Sequence, residues 1–147
     1  MIRAYSYKDK TKVLELLQLN IPEFFDASEE KDLDYYLEHE IEDYFVVEED
    51  NIIIGSGGIN YLTTEKIARI SWDIINPNSQ GKGIGKKLLQ HRINHLKGNQ
   101  KVKIIEVRTS QLVYQFYEKM GFILENVEKN FWAKGFHLYQ MKLKNKD

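Results

Sequence analysis

Gln80-Gly81-Lys82-Gly83-Ile84-Gly85-Lys86-Lys87 is the stretch that decides the fold. An extended apolar run, Ile70 to Ile75, leads into it and stops at Asn76-Pro77. An amphipathic helical pattern follows, with Ile84, Leu88, Leu89, Ile93 and Leu96 on one side and Gly98 at its close. A strand therefore delivers the chain to a glycine-rich turn, and the turn opens a helix. The glycines let the backbone take unusual dihedrals and approach a ligand closely. The first turn of a helix has unpaired N–H groups and a partial positive charge of roughly +0.5. Lys82, Lys86 and Lys87 add full charges. The sum is a cradle for a phosphate group.

The spacing excludes two common nucleotide loops. Gly85-Lys86 is followed by Lys87, so no hydroxyl is placed for magnesium as in Gly-x-x-x-x-Gly-Lys-Ser/Thr. From Gly81 the glycines run Gly-x-Gly-x-Gly, not Gly-x-Gly-x-x-Gly. The missing hydroxyl and the lack of an Asp-rich metal motif disfavour a nucleotide-binding phosphotransferase.

Around this stretch, Ile2 to Tyr5 reads as a strand, and Ser6 with Asp9 as the start of a helix that ends at Pro22. Glu23-Phe24-Phe25-Asp26 is a loop, and Ser28 caps a second helix carrying Leu33, Tyr36 and Leu37. Tyr44–Val47 and Ile52–Leu62 form a hairpin, in which Gly55, Gly57 and Gly58 predict a bulge or a close backbone approach. Ile67–Ile75 feeds the glycine-rich turn. After the following helix come a strand at Val102–Val107, a helix from Ser110 to Met120, and a hairpin of Phe122–Val127 and Phe136–Met141. The strand–helix–strand unit in the middle requires a locally parallel pair, and the hairpins make the rest antiparallel. The expected fold class is mixed α/β, with a mostly antiparallel sheet and flanking helices.

The 147 residues are expected to form a single domain, 1–147. The lack of cysteine removes disulfides, thiolate nucleophiles and Cys-based metal sites. His91 and His95 have helical spacing, but only Glu106 could join them, so they read as helix surface and no metal is expected. No apolar run approaches the roughly 20 residues of a membrane span, and Met1-Ile2-Arg3 leads straight into an alternating segment. A soluble cytoplasmic protein without a membrane partner is the expectation. Glu23 to Asp50 is strongly acidic and Lys82 to Arg108 is basic, so one part suits a cation and the other an anion. The basic part lacks interleaved exposed aromatics, so no nucleic-acid partner is expected.

Gln115-Phe116-Tyr117-Glu118-Lys119-Met120-Gly121-Phe122 is a second informative stretch. With Gln-x-x-Gly-x-Gly at residues 80–85, it resembles the motif pair of the GNAT superfamily of N-acetyltransferases. The two motifs stand in the family's order, with a strand between them. The resemblance implies the GNAT fold, in which the feeding strand and its parallel neighbour splay apart. It implies acetyl-coenzyme A as co-substrate, its acyl-pantetheine arm on backbone groups near Ile74 and Ile75. Its pyrophosphate would sit on the amides of Gln80, Gly81, Lys82, Gly83, Ile84 and Gly85, beside Lys86. Tyr117 would stand near the sulfur. Ser110 occupies a position where the family often has Asn, and a hydroxyl could replace that contact.

The expected function is transfer of an acetyl group to a primary amine by direct attack in a ternary complex. The alternative is a catalytically silent coenzyme A-binding sensor or interaction module. Attack needs a neutral amine, a stabilised oxyanion and a protonated leaving thiolate. A thiol leaves with a pKa near 8.5, and a tyrosine at about 10 can donate to it. Tyr117 is the candidate acid. Asp73, at the cleft strand, is the first candidate base, His137 the second, and Glu23 or Asp26 the third. Phe24, Phe25, Trp132 and His137 are the candidate acceptor-binding residues, for a small-molecule or peptide amine. The C-terminal hairpin offers an edge strand for a homodimer.

Overall fold

A computed structural model describes residues 1–147. Its strands are β1 (Ile2–Ala4), β2 (Asp43–Glu49), β3 (Ile52–Leu62), β4 (Ile67–Ile75), β5 (Ile104–Thr109), β6 (Ile123–Ala133) and β7 (Phe136–Lys144). They form one sheet in the order β1-β2-β3-β4-β5-β7-β6. Only β4 and β5 are parallel. The helices are α1 (Lys10–Gln18), α2 (Glu29–His39), α3 (Ile84–Leu96) and α4 (Tyr114–Lys119).

Two layers of core sandwich the sheet. On one face Leu89 and Leu96 of α3, Tyr117 of α4 and Phe122 just after it pack against Ile59, Ala68, Ile70, Ile105 and Val107. On the other, α1 and α2 bury Val13, Leu16, Leu17, Leu33 and Leu37 against Tyr44, Val46 and Ile74. Alternation along each strand assigns its side chains to these faces.

Several segments differ from expectation; β5 runs Ile104–Thr109 rather than Val102–Val107, and α4 starts at Tyr114 rather than Ser110. Helix α1 ends at Gln18, short of Pro22. Buried Asn20 donates from Nδ2 to the Leu16 carbonyl at 2.9 Å, satisfying the helix end early. Helix α2 is capped from Asp26 rather than Ser28: the Asp26 carboxylate accepts from Ser28 N–H at 3.0 Å, and Glu29 Oε2 accepts from Asp26 N–H at 2.9 Å. Strand β6 runs to Ala133, past Val127, on the outer edge of the sheet.

The β4–β5 ladder covers only Ile67↔Ile104 through Ile70↔Val107. β4 then continues to Ile75 without that partner, so the strands part. At the parting point β4 carries a bulge. Ser56 pairs with Ile74 and Gly58 with Ser71, so Trp72 and Asp73 both stand opposite Gly57. Trp72 takes a left-handed φ of 51°. The extra residue reverses the alternation. Trp72 and Ile74 turn towards α1 and α2, while Asp73 turns towards α3. Gly57 is the close approach anticipated from the glycine cluster. A Cβ there would collide with Asp73 Oδ1 and lie 2.8 Å from Arg92 Nη1.

Gly57→Ala should therefore cost about 1–3 kcal/mol, read as a lowered urea midpoint with an unchanged m-value.

Candidate active site

The strands' divergence opens a cleft of about 1040 Å³. Its walls come from the α1–α2 loop, the ends of β4 and β5, the turn before α3, and α4.

At one end lies the glycine-rich turn. Gly81 and Gly83 have φ of 81° and 80°, and nothing stands within 4 Å of where a Cβ would be. Backbone geometry, not space, requires glycine there. Gln80 N–H donates to the Pro77 carbonyl at 3.4 Å, and Lys87 N–H makes the first intrahelical bond, to Gly83, at 3.0 Å. The N–H groups from Gly81 to Lys86 between them have no acceptor in the protein. The donor set thus starts at Gly81 rather than Gln80. Gln80, Gly81, Gly83, Ile84, Gly85 and Lys86 line the cleft, whereas Lys82 is exposed outside its wall.

Further along, the Asn76 N–H donates to Ile54 of β3 at 2.8 Å. Alternation then directs the backbone groups of Ile74 to β3 and those of Ile75 to the cleft. Ile74 is also fully buried at its side chain. It therefore presents nothing to a ligand, and the expected contact narrows to Ile75. The Ile75 carbonyl accepts from Asn20 Nδ2 at 3.1 Å. Ser110 lines the cleft, with its Oγ accepting from Leu112 N–H at 3.2 Å.

The floor between these groups is a buried ionic network. Arg92, with no exposed surface, donates from Nη1 to Asp73 Oδ1 at 2.5 Å and to the Gly58 carbonyl at 3.1 Å. Tyr117 donates its hydroxyl to Asp73 Oδ2 at 2.5 Å. Burial opposes the Arg92 charge, but attraction and hydrogen bonding to Asp73 outweigh it and keep the guanidinium protonated. Burial, then the Asp73 charge, push the Tyr117 hydroxyl well above the usual tyrosine range. Phe116 and Phe122 flank Tyr117, with ring centroids at 5.0 and 5.7 Å. Tyr117 is thus both a core aromatic and a cleft hydroxyl. Both Asp73 oxygens are engaged, so Asp73 is the counter-ion of Arg92 rather than a free proton acceptor.

Phe24, Phe25 and Trp132 line the cleft. Phe25 stacks on Trp72 at 6.3 Å, and Trp132 Nε1 donates to the Thr109 carbonyl at 3.1 Å. His137 is not in the cleft. Its Nδ1 accepts from Asn130 N–H at 2.9 Å within the β6–β7 hairpin, because alternation along β7 turns it to the face opposite Leu138. His91 and His95 pack on Phe45 at 4.9 and 5.8 Å.

Sequence reasoning missed Arg92, Glu29 and Asn20. Arg92 had a signal: it stands midway between Leu88 and Leu96 on the apolar side of α3. Glu29 also had one, in the capping pattern Asp26-x-x-Glu29. Glu29 is buried in the cleft wall without a cationic partner, and burial raises its carboxyl above the ordinary range.

The Acetyltransferase (GNAT) domain profile matches residues 6–145. The chain belongs to the GNAT acetyltransferase family. The amino-acid acetyltransferase of Photobacterium profundum is 33% identical over 98 residues, which are 67% of this chain and 22% of that protein. The chain thus spans about a fifth of the length of the curated relatives it matches. A GNAT-family acetyltransferase from Desulfovibrio desulfuricans superposes with a TM-score of 0.80 at 22% identity, covering 98% of each chain. An acetyltransferase from Salmonella typhimurium, solved with acetyl-CoA, superposes at 0.73 and 16% identity, covering 100% of this chain and 94% of that one. The seven-strand mixed sheet with one parallel pair thus matches the fold of these GNAT structures.

Two stability predictions follow from the network and from Glu29. Asp73→Asn leaves the Arg92 charge buried without its partner and should cost about 3–5 kcal/mol, with Arg92→Met in the same chain recovering part of the loss in urea unfolding. Glu29 has a raised folded-state pKa. Its stabilising contribution is complete below the unfolded-state pKa and is lost as pH rises through the folded value. Glu29→Gln keeps an acceptor for Asp26 N–H, so its melting temperature should gain on the wild type as pH rises from acid towards neutral.

Proposed function

We propose that the protein transfers an acetyl group from acetyl-CoA to a primary amine by direct attack in a ternary complex. The observation that carries this is the run of unpaired N–H groups from Gly81 to Lys86 at one end of the gap between β4 and β5. A diphosphate has the charge and the acceptors to satisfy those donors. Relatives of the same fold have been solved with coenzyme A and with acetyl-CoA, which supports this choice of co-substrate.

In this reading each group has a task in one step. The amine nitrogen attacks the thioester carbonyl carbon, and the carbon–sulfur bond breaks. The Ile75 N–H, facing the gap, donates to the oxygen that becomes negative. The Tyr117 hydroxyl has one proton, which it donates to Asp73 Oδ2 at rest and turns to the leaving sulfur as negative charge develops there. Its raised pKa favours a strong hydrogen bond to the thiolate over full transfer, and solvent completes the protonation. Asp73 and Arg92 hold the Tyr117 hydroxyl in place. The amine proton passes to Glu29, directly or through water, since Glu29 is a cleft carboxylate without a cationic partner. This replaces Asp73 as base. Phe24, Phe25 and Trp132 exclude water around the acceptor. Acceptors named for relatives include amino acids, the ribosomal protein S18 alanine and aminoglycosides.

Acetyl-CoA-dependent thiol release with a panel of amines tests the proposal. Binding of coenzyme A without release on any amine would overturn it. Tyr117→Phe should lower kcat at least about tenfold while leaving coenzyme A affinity nearly unchanged. Gly83→Val should weaken coenzyme A binding about tenfold or more by straining the φ of 80°. The acidic limb of kcat/KM should lie above the ordinary carboxylate range and disappear in Glu29→Gln.

A further inference from the structure

The cleft floor opposite α3 carries two arginines in unequal states. Arg69 on β4 and Glu106 on β5 are register partners, and Arg69 Nε donates to Glu106 Oε2 at 2.7 Å. Gln140 Nε2 donates to the other Glu106 oxygen at 2.8 Å. Glu106 is therefore fully committed. Arg108, two residues along β5 and on the same face, has no ion pair and no hydrogen bond from its guanidinium to any group of the protein. It is half-buried and lines the cleft. Aromatic rings lie beside it, with its Cζ 4.9 Å from the centroid of Phe131 and 5.6 Å from that of Trp132.

An arginine in that setting is unusual. Burial and the neighbouring Arg69 charge both act to lower its pKa, and Glu106 and Glu128 only partly offset them. The rings attract the guanidinium but satisfy none of its donors. What the geometry leaves open is the donor edge of a planar fork, whose best partner is a carboxylate bound through two parallel hydrogen bonds. The position matters as much as the charge. Val107 is the last β5 residue paired to β4, so Arg108 is the first past the point where the strands part. An anion held there lies at the mouth of the gap through which an acyl group must reach its acceptor.

We infer that Arg108 receives a carboxylate carried by the acceptor, so that the substrate is an amine with an acidic group close to the reacting nitrogen. The inference rests on the acetyl-transfer reading above and narrows it. It runs against what the acidic segment from Glu23 to Asp50 suggests, a polycation. That segment's charge is mostly outside the cleft; of its carboxylates only Glu29 and Glu40 line it. Glu29 and Arg108 both line the cleft, and together they match the two charges of an amino acid. The same carboxylate could come from a free amino acid or from an acidic side chain at the second position of a peptide.

The test uses the full chain with acetyl-CoA. Thiol release is measured with the twenty L-amino acids, with their C-terminal amides, with dipeptide amides carrying Asp second, and with spermidine and an aminoglycoside. The expected result is that one or more amino acids, or Asp dipeptides, are used with a kcat/KM at least about 100-fold above the matched compound lacking the carboxylate. Free amino acids alone, or the Asp dipeptide amides alone, would identify the source. In Arg108→Met that ratio should collapse towards one through KM, while turnover of the carboxylate-free amine and the melting temperature stay near wild type. Calorimetric titration of the coenzyme A-saturated protein with the best substrate should show the same loss of binding. Faster use of spermidine or the aminoglycoside, or a ratio unchanged in Arg108→Met, would overturn the carboxylate inference and leave acetyl transfer standing. Binding of a carboxylate-bearing amine without thiol release would uphold Arg108 and sink the transfer reading. If nothing in the panel binds or reacts, the inference is overturned.

Discussion

The constraint on which the rest depends is a full positive charge with no access to water. Arg92 rises from the apolar side of α3 into the centre of the fold, and a guanidinium there is tolerable only if a carboxylate meets it. Asp73 meets it, and Asp73 can do so only because β4 carries an extra residue. Without the bulge, alternation would send Trp72 towards α3 and Asp73 towards α2. The bulge needs a partner strand without a side chain at that point, which is Gly57. Ion pair, bulge and glycine are one device. Its visible consequence is that β4 turns from β5 after Ile70, and the sheet opens.

The opening joins two different chemistries. On one side are main-chain donors at the start of α3, fixed by two left-handed glycines and indifferent to which side chains surround them. On the other is a pocket of side chains from α2, β4, β5 and the β6–β7 hairpin. Tyr117 stands where they meet, tied to the same Asp73 that neutralises Arg92. The network that holds the fold open therefore also orients the cleft hydroxyl. A structural role and a chemical one fall on the same carboxylate, which is why Asp73 is poorly suited to accept a substrate proton.

Much of the fold was legible in the chain. The strand, glycine-rich turn and helix around Gln80 follow from local rules, as do the hairpins and the glycine-demanding contact in β3. The element order and the single parallel pair follow from connection lengths. These properties depend on near neighbours, and a sequence states its near neighbours directly. The less legible parts have particular causes. Helix α1 stops short of Pro22 because Asn20 bonds both to Leu16 at the helix end and to Ile75, far away in the chain. Ile74 and Ile75 look alike in sequence, and only strand pairing separates the buried one from the one at the cleft. His137 looked placed for chemistry until alternation along β7 turned it away.

The sequence by itself determined a mixed α/β fold with a glycine-rich turn between β4 and α3, and a tyrosine on the helix that follows β5. Tertiary structure alone decided which charges are spent and which are free. Arg69 and Arg92 find carboxylates and Arg108 does not, and nothing within a few residues of any of them says so. Pairing across a sheet is set by register, and register here turns on one inserted residue at Trp72. A single step in that count exchanges the faces of every side chain beyond it, so the chemistry of the cleft is fixed by the assembled sheet.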